Sequence, residues 1–427
     1  MADLSGQSIL VLGAGVVGVS LALTLLRRGA QVTLVEATGP GAACSAGNGG
    51  MIQTGSSLPL AQPGILRQVP GMLSNPEGAL VLRPARIPAM LPWARHLLRA
   101  SRPEAAAAGE RHLAWLLSGA TPAWERLRAR SPAADLFRPR GELYVTRNPA
   151  VAEELKHKAA VCAGNGIAAD LIERGALRKM EPALAEDYAF GLYLPESSYV
   201  VNPRALCECL YALFLTEGGQ GEIRNVTRVS RGGEGAVLHC ADGAQLGASR
   251  LVIAAGTLSG RLARGIGLRL MLEPMRGYNV TLADTEELAL NGPVIEAEMN
   301  IAVTPMQGGP RVAGTLEFAG FRRAPDWKRA RILLPLAQRM LPGLARARIA
   351  QEWAGERPGT PDSLPLMGPA TEASDPIWIS AGHGMLGLTL AARSGELIAA
   401  GMAGESRALA ALEGFRPARF ARRPAKT

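Results

Sequence analysis

Aromatic side chains are scarce in this sequence: seven Phe, six Trp and six Tyr make up 4% of 427 residues. A surface that reads nucleic acid needs a concentrated basic stripe with aromatics interleaved. The net charge of +9 instead comes from arginines scattered along the chain, so no nucleic-acid partner is expected. Attraction of a small anionic substrate is compatible with it. Cysteine is also sparse. Cys44, Cys162, Cys207, Cys209 and Cys240 are odd in number and lack metal-ligand spacing, which argues against a disulfide framework and a metal site and fits a reducing cytoplasm. Cys207 and Cys209 fall at i and i+2 of an expected helix, where side chains point apart, so they read as packing. Residues 9–26 carry no charge, yet they contain three glycines and follow no Lys or Arg. They read neither as a membrane span nor as a signal segment. The tail FRPARFARRPAKT, with Arg416, Arg419, Arg422, Arg423 and Lys426, is the one basic cluster. It is either a solvated terminus or a contact for anionic lipid, which leaves peripheral attachment to the inner membrane open.

What the chain does contain is a whole βαβ unit at its start. Gly13, Gly15 and Gly18 form G-x-G-x-x-G directly behind the apolar run 9–12, and a second apolar run, 32–35, ends on Glu36. Such spacing uses the first glycine for a tight turn, the second for backbone approach to a pyrophosphate, and the third for close helix–strand packing. The N–H groups near Val16 and Val17 then face a diphosphate, and Glu36 is placed to accept the ribose hydroxyls. The next stretch, ATGPGAACSAGNGGMIQ, is dense in small residues that let backbone crowd a flat ligand.

Seven prolines between residues 58 and 95 predict short helices and extended pieces. Residues 95–130 read as helical with Trp115 and Trp124 facing inward, and a strand is expected at 141–146. Asn202 caps a helix opened by Pro203. A strand at 221–230, a hairpin and the buried strand 251–256 return the chain to the first unit. Strands before RVAGTLEFAGF suggest an antiparallel sheet followed by a helix at 324–340, and GHGMLGLT turns into the last helix. The fold class is therefore α/β: a Rossmann-like, discontinuous nucleotide-binding domain (1–90, 190–265 and 350–427) and an α+β substrate domain on an antiparallel sheet (91–189 and 266–349). Two helix N-termini far apart in sequence suit one long ligand, with a diphosphate at one end and a polar ring edge at the other.

Taken in order, GAGVVG with Glu36, SAGNGG, VIAAG, PMRGY, AGTLEF, GERPGTPDSLPLMG and GHGMLGLT give the chain a full-length likeness to one family. It resembles the FAD-dependent D-amino-acid oxidase superfamily, most closely its bacterial D-amino-acid dehydrogenases of small-subunit type. The resemblance implies that Gly13, Gly15 and Gly18 hold the FAD diphosphate and Glu36 the adenosine ribose. It places Ser45, Asn48, Gly49 and Gly50 along the isoalloxazine, with Met51 and Ile52 entering the substrate side. Val226 would contact adenine through its backbone, and Gly256 would pack near the diphosphate. His383, Gly384, Met385, Gly387, Leu388 and Thr389 would border the flavin, where helix-end N–H groups stabilise negative charge on the reduced ring. Arg357 matches the arginine that grips the substrate carboxylate, a task suited to a guanidinium's two parallel hydrogen bonds. Tyr278 is the second candidate for that carboxylate, and Arg276 and Arg311 are weaker ones that could equally cap backbone or pair with acids.

The implied reaction is oxidative deamination of D-amino acids, including D-proline types, by hydride transfer from Cα to flavin N5. The electrons pass to an acceptor other than oxygen, such as a quinone. Such a reaction needs no protein base, so His383 is expected to orient the flavin edge. No cysteine lies beyond Cys240 and no histidine falls within residues 45–52, so the FAD is expected to be noncovalent. The alternatives are an oxygen-using oxidase of glycine, sarcosine or another secondary amine and, more remotely, a flavoprotein associated with tRNA modification.

Overall fold

The computed structural model describes residues 3–74, 78–233 and 235–420. Pro76 and the tail residues Arg422, Arg423 and Lys426 lie outside them.

Strand Ser8–Leu12 is buried along four of its five positions, as its unbroken apolar run requires. It sits at the centre of a six-stranded sheet ordered Gln220–Ile223, Gln31–Glu36, Ser8–Leu12, Arg250–Ile253, Ile377–Ala381, Leu366–Pro369. All pairs are parallel except the last. Helices Val16–Arg27, Pro203–Thr216 and Gly387–Met402 share one apolar core on a face of this sheet, built from residues such as Leu21, Leu210 and Ile398. The expected Asn202 cap is present, its Oδ1 accepting from Ala205 N at 3.0 Å.

The second sheet has nine strands and is mainly antiparallel. It runs Arg348–Gly359, Glu273–Ala283, Arg311–Phe318, Ile301–Thr304, Val294–Glu296, Glu142–Thr146, Phe190–Leu194, Asp170–Glu173, with Leu80–Leu82 joined to Arg311–Phe318. One face packs on helices Lys328–Arg331 and Leu333–Met340 through a core that includes Tyr278, Val280, Val312 and Leu333. The other face turns toward the loop at residues 45–50.

Strand pairing moves the expected domain edges. Leu80–Leu82, Phe190–Leu194 and Arg348–Gly359 belong to the large sheet, not to the nucleotide-binding half. Conversely, helices Pro103–Ser118 and Ala120–Arg128 bury Leu113, Leu116, Leu117 and Trp124 in the core shared with Gly387–Met402. Trp124 is inward as expected, but Trp115 is 41% exposed and stacks on Phe415 instead. The strand expected at 221–230 is two strands in different sheets, Gln220–Ile223 and Val226–Gly232, and the helix at 324–340 breaks into two. All five cysteines are free, with Cys207 buried and Cys209 packed at the edge of the same core. In the tail, Arg416 pairs with Glu413 and Arg419 with Asp362. No helix among the described residues is long and apolar enough to cross a membrane.

Candidate active site

The glycine turn is built tightly from its own backbone. Gly13 has φ +111°, and a Cβ there would fall 2.6 Å from Ala254 O. A Cβ at Gly18 would fall 1.8 Å from Gly13 O, so only glycine lets the helix press against the turn. Gly15 is different: the one atom close to its added Cβ is a side-chain oxygen, Ser45 Oγ at 3.3 Å, and no backbone presses on it. Val16 N donates to Ser45 Oγ at 3.0 Å, placing that hydroxyl at the helix N-terminus beside Val17. Glu36 Oε2 accepts from Ala14 N at 2.8 Å, and its other oxygen accepts from Ala37 N. The acid is thus pinned beside the turn at the end of its strand. Arg224 N donates to Glu36 O at 2.7 Å, which brings Val226, at the start of the next strand, to the same end. Gly256, at φ +55°, follows the strand beside the turn, and a Cβ there would face open space.

The loop at 45–50 is held from both sides. Asn48 Oδ1 accepts from Gly50 N at 2.8 Å, and Gly50 adopts φ +78° with Val200 O 2.6 Å from where its Cβ would sit. From the large sheet, Arg311 Nη1 donates to Ala46 O and Asn48 O, and Asn279 Nδ2 donates to Gly47 O at 2.8 Å. Arg311 is therefore a backbone cap. Beyond Gly49 and Met51, Gln53 N donates to Thr389 Oγ1 at 3.1 Å, tying this loop to the last helix.

That helix opens from a turn in which Gly382 and Gly384 both have positive φ. Its first carbonyls, Leu388 O and Thr389 O, accept from Trp124 Nε1. Gly387 begins the helix, and Met385 projects 61% exposed beside it. His383 is buried and hydrogen-bonded through Nε2 to Ser394 Oγ at 2.9 Å. Burial brings its pKa down to about 4, so the imidazole is neutral near pH 7.

Across from this turn lies the edge of the large sheet. Met275 pairs with Arg357, Gly277 with Gly355 and Asn279 with Trp353. Strand alternation puts Trp353, Gly355, Arg357, Met275, Gly277 and Asn279 on one face, and Asn279 shows it is the face toward the loop. Arg357 is half-buried, and its guanidinium lies over Gly277, where an added Cβ would be 2.5 Å from Cζ. Among the described residues no carboxylate pairs with it, and desolvation pushes its pKa down. Cys44, just ahead of the loop, is its titratable neighbour, and burial pushes that thiol's pKa up.

Tyr278 does not join Arg357. One residue away from Gly277, it points to the opposite face, where it is fully buried. Its hydroxyl donates to Glu317 Oε2 at 2.7 Å and accepts from Asp326 N at 2.9 Å. Arg276 shares that face and is bound to Glu356 and to the carbonyls of Arg323 and Ala324. The expected carboxylate role of Tyr278 is therefore corrected to a buried structural one. Trp353, Gly277, Asn279 and Cys44 were not singled out by the sequence; the signal available was the i, i+2, i+4 spacing of Trp353, Gly355 and Arg357 on one strand.

A separate cavity of about 1000 Å³ lies in the helical layer beside Trp115. Its Arg27, Arg28 and Arg126 are already paired with Glu217, Glu405 and Glu396. No group of side chains that could hold a metal occurs among the described residues.

The family model described as FAD dependent oxidoreductase matches residues 8–400. The chain belongs to the FAD-dependent oxidoreductase family. This flavoenzyme is 32% identical to a D-amino-acid oxidase of Bradyrhizobium diazoefficiens, over 97% of its own length and 99% of that protein's. It is 32% identical to D-amino acid dehydrogenase 2 of Ralstonia nicotianae, over 95% and 98% of the two chains. Among solved structures, it is similar to L-proline dehydrogenase from P. horikoshii (TM-score 0.75, 17% identity, 98% of each chain). It is also similar to glycine oxidase from Geobacillus kaustophilus (TM-score 0.73, 22% identity, 97% and 99%). These two share its fold. The residues present fit FAD: the glycine turn opening on a helix N-terminus beside Ser45 Oγ, the pinned acid Glu36, and a second glycine turn ahead of a buried helix are what a dinucleotide with a ring at its far end requires.

Proposed function

We propose that the protein oxidatively deaminates D-amino acids, D-proline types included, and delivers the electrons to an acceptor other than oxygen, such as a quinone. The observation that carries this reading is Arg357: a guanidinium without a carboxylate partner among the described residues, seated on glycine and facing the loop expected along the flavin. Such a group binds an α-carboxylate through two parallel hydrogen bonds and fixes the direction of the Cα–H bond. The names of the relatives, D-amino-acid oxidase and D-amino acid dehydrogenase, support the substrate class. They divide on the acceptor; the further relatives named dehydrogenase favour one other than oxygen.

In this reading Gly13, Gly15, Gly18, Val16 and Val17 hold the diphosphate with Gly256 packed near it, Glu36 holds the ribose, and Val226 contacts the adenine. Ser45, Asn48, Gly49, Gly50, Met51, His383, Gly384, Met385, Gly387, Leu388 and Thr389 border the ring. Bound FAD supplies the hydride acceptor. The chain's own part is to bind the carboxylate at Arg357, to hold the loop through Arg311 and Asn279, and to present helix-end N–H groups to developing negative charge. His383, neutral and bonded to Ser394, positions the turn and takes no proton from the substrate. The substrate must therefore arrive with its amine unprotonated.

Anaerobic mixing with D- and L-amino acids, glycine and N-methyl amines, followed by flavin absorbance, tests the substrate. Repeating the turnover in air without an added acceptor tests oxygen.

A further inference from the structure

Gly277 and Gly355 face each other across two antiparallel strands. The guanidinium of Arg357 lies over the first, with Nη1 as well as Cζ 2.5 Å from where a Cβ would stand. The six-membered edge of the Trp353 indole lies over the second, Cη2 at 2.3 Å. The other side of the same ring covers Gly47 of the loop, with Cδ2 at 2.1 Å and Cε2 at 2.2 Å from an added Cβ. Residues directly opposite in an antiparallel pair have Cβ positions about 4.5–5.5 Å apart. Cation and indole therefore sit side by side on a floor of two glycines, and a third glycine lets the ring close against the loop.

A carboxylate gripped by Arg357 places the substituent on its α-carbon within reach of that ring. We propose that Trp353 is a specificity-determining residue whose indole is the wall against which the substrate side chain packs, favouring apolar and aromatic side chains over acidic ones. The proposal rests on Arg357 being the carboxylate site. An apolar group gains contact and sheds water against the indole, whereas a second carboxylate would lose hydration beside an apolar surface that offers it no partner.

The test is equilibrium binding of two unreactive carboxylates, acetate and phenylacetate, to the holoenzyme. Flavin absorbance and tryptophan emission report the binding. Trp353→Ala is expected to weaken phenylacetate about tenfold while acetate stays within about twofold, the size of one aromatic contact with its buried area. Trp353→Phe should keep most of the phenylacetate affinity. Gly355→Ala, which pushes a methyl under the indole without shortening it, should reproduce the selective loss, so the outcome does not hang on one truncation. Equal weakening of both ligands, or of neither, overturns the role of Trp353. If neither carboxylate binds the unaltered holoenzyme, the Arg357 reading falls and this proposal falls with it.

Discussion

The guanidinium of Arg357 occupies the space that a side chain at position 277 would fill: a Cβ on Gly277 would stand 2.5 Å from its Cζ. The contact is with the far end of a flexible side chain, so an added methyl shifts the arginine and leaves the strand in place. Gly277→Ala should therefore raise KM for the amino acid by about tenfold or more, the cost of misaligning one charge-assisted pair, with flavin content unchanged. Steady-state kinetics beside a flavin-to-protein ratio checks it; an unchanged KM removes Arg357 from the carboxylate.

Tyr278 tests the opposite face. Tyr278→Phe removes the hydroxyl that donates to Glu317 Oε2 and accepts from Asp326 N. The expected result is a stability loss of about 1–3 kcal/mol by urea unfolding with KM close to that of the unaltered enzyme. A large rise in KM with no loss of stability would return Tyr278 to the substrate.

His383 couples stability to pH. Its folded pKa of about 4 lies below the ordinary 6.5, so the unfolded chain takes up the proton first as pH falls. This contribution is complete above about pH 6.5 and is lost progressively toward pH 4, by on the order of 3 kcal/mol in total. Urea midpoints at pH 7 and 5 should differ less in His383→Asn than in the unaltered protein; an identical difference contradicts the buried neutral imidazole.

The cofactor should come away freely. Residues 45–52 contain no histidine, and the free Cys44 is half-buried with its thiol pKa pushed up. Acid precipitation should leave the flavin in the supernatant. Yellow colour retained in the pellet would show a covalent bond.

The features of the fold legible in the sequence are local ones. Gly13, Gly15, Gly18 and Glu36 lie within one βαβ unit, and the helix opened by Pro203 carries its own cap at Asn202. What escaped depends on pairing between distant segments. Position 277 or 278 faces the site according to strand parity, and a one-residue difference exchanges the faces; the run PMRGY alone does not tell which of Gly277 and Tyr278 turns to the loop. Leu80–Leu82 enters the large sheet only because Arg311–Phe318 receives it. The helices at 103–128 side with the nucleotide-binding half because Trp124 reaches the carbonyls of Leu388 and Thr389. The place of Trp353 depends on Gly47 and Gly355, far apart in the chain or on its own strand, lying against its ring.

The most direct test of the account is anaerobic reduction of the bound flavin by amino acids, in the unaltered protein and in Arg357→Lys. The account predicts that D-amino acids bleach the flavin and their L-forms do not. In the lysine variant, which cannot form two parallel bonds to the carboxylate, the concentration giving half-maximal rate should rise about a hundredfold, a loss of about 2.7 kcal/mol. Bleaching by glycine or sarcosine alone, or equal reduction in both proteins, would contradict it.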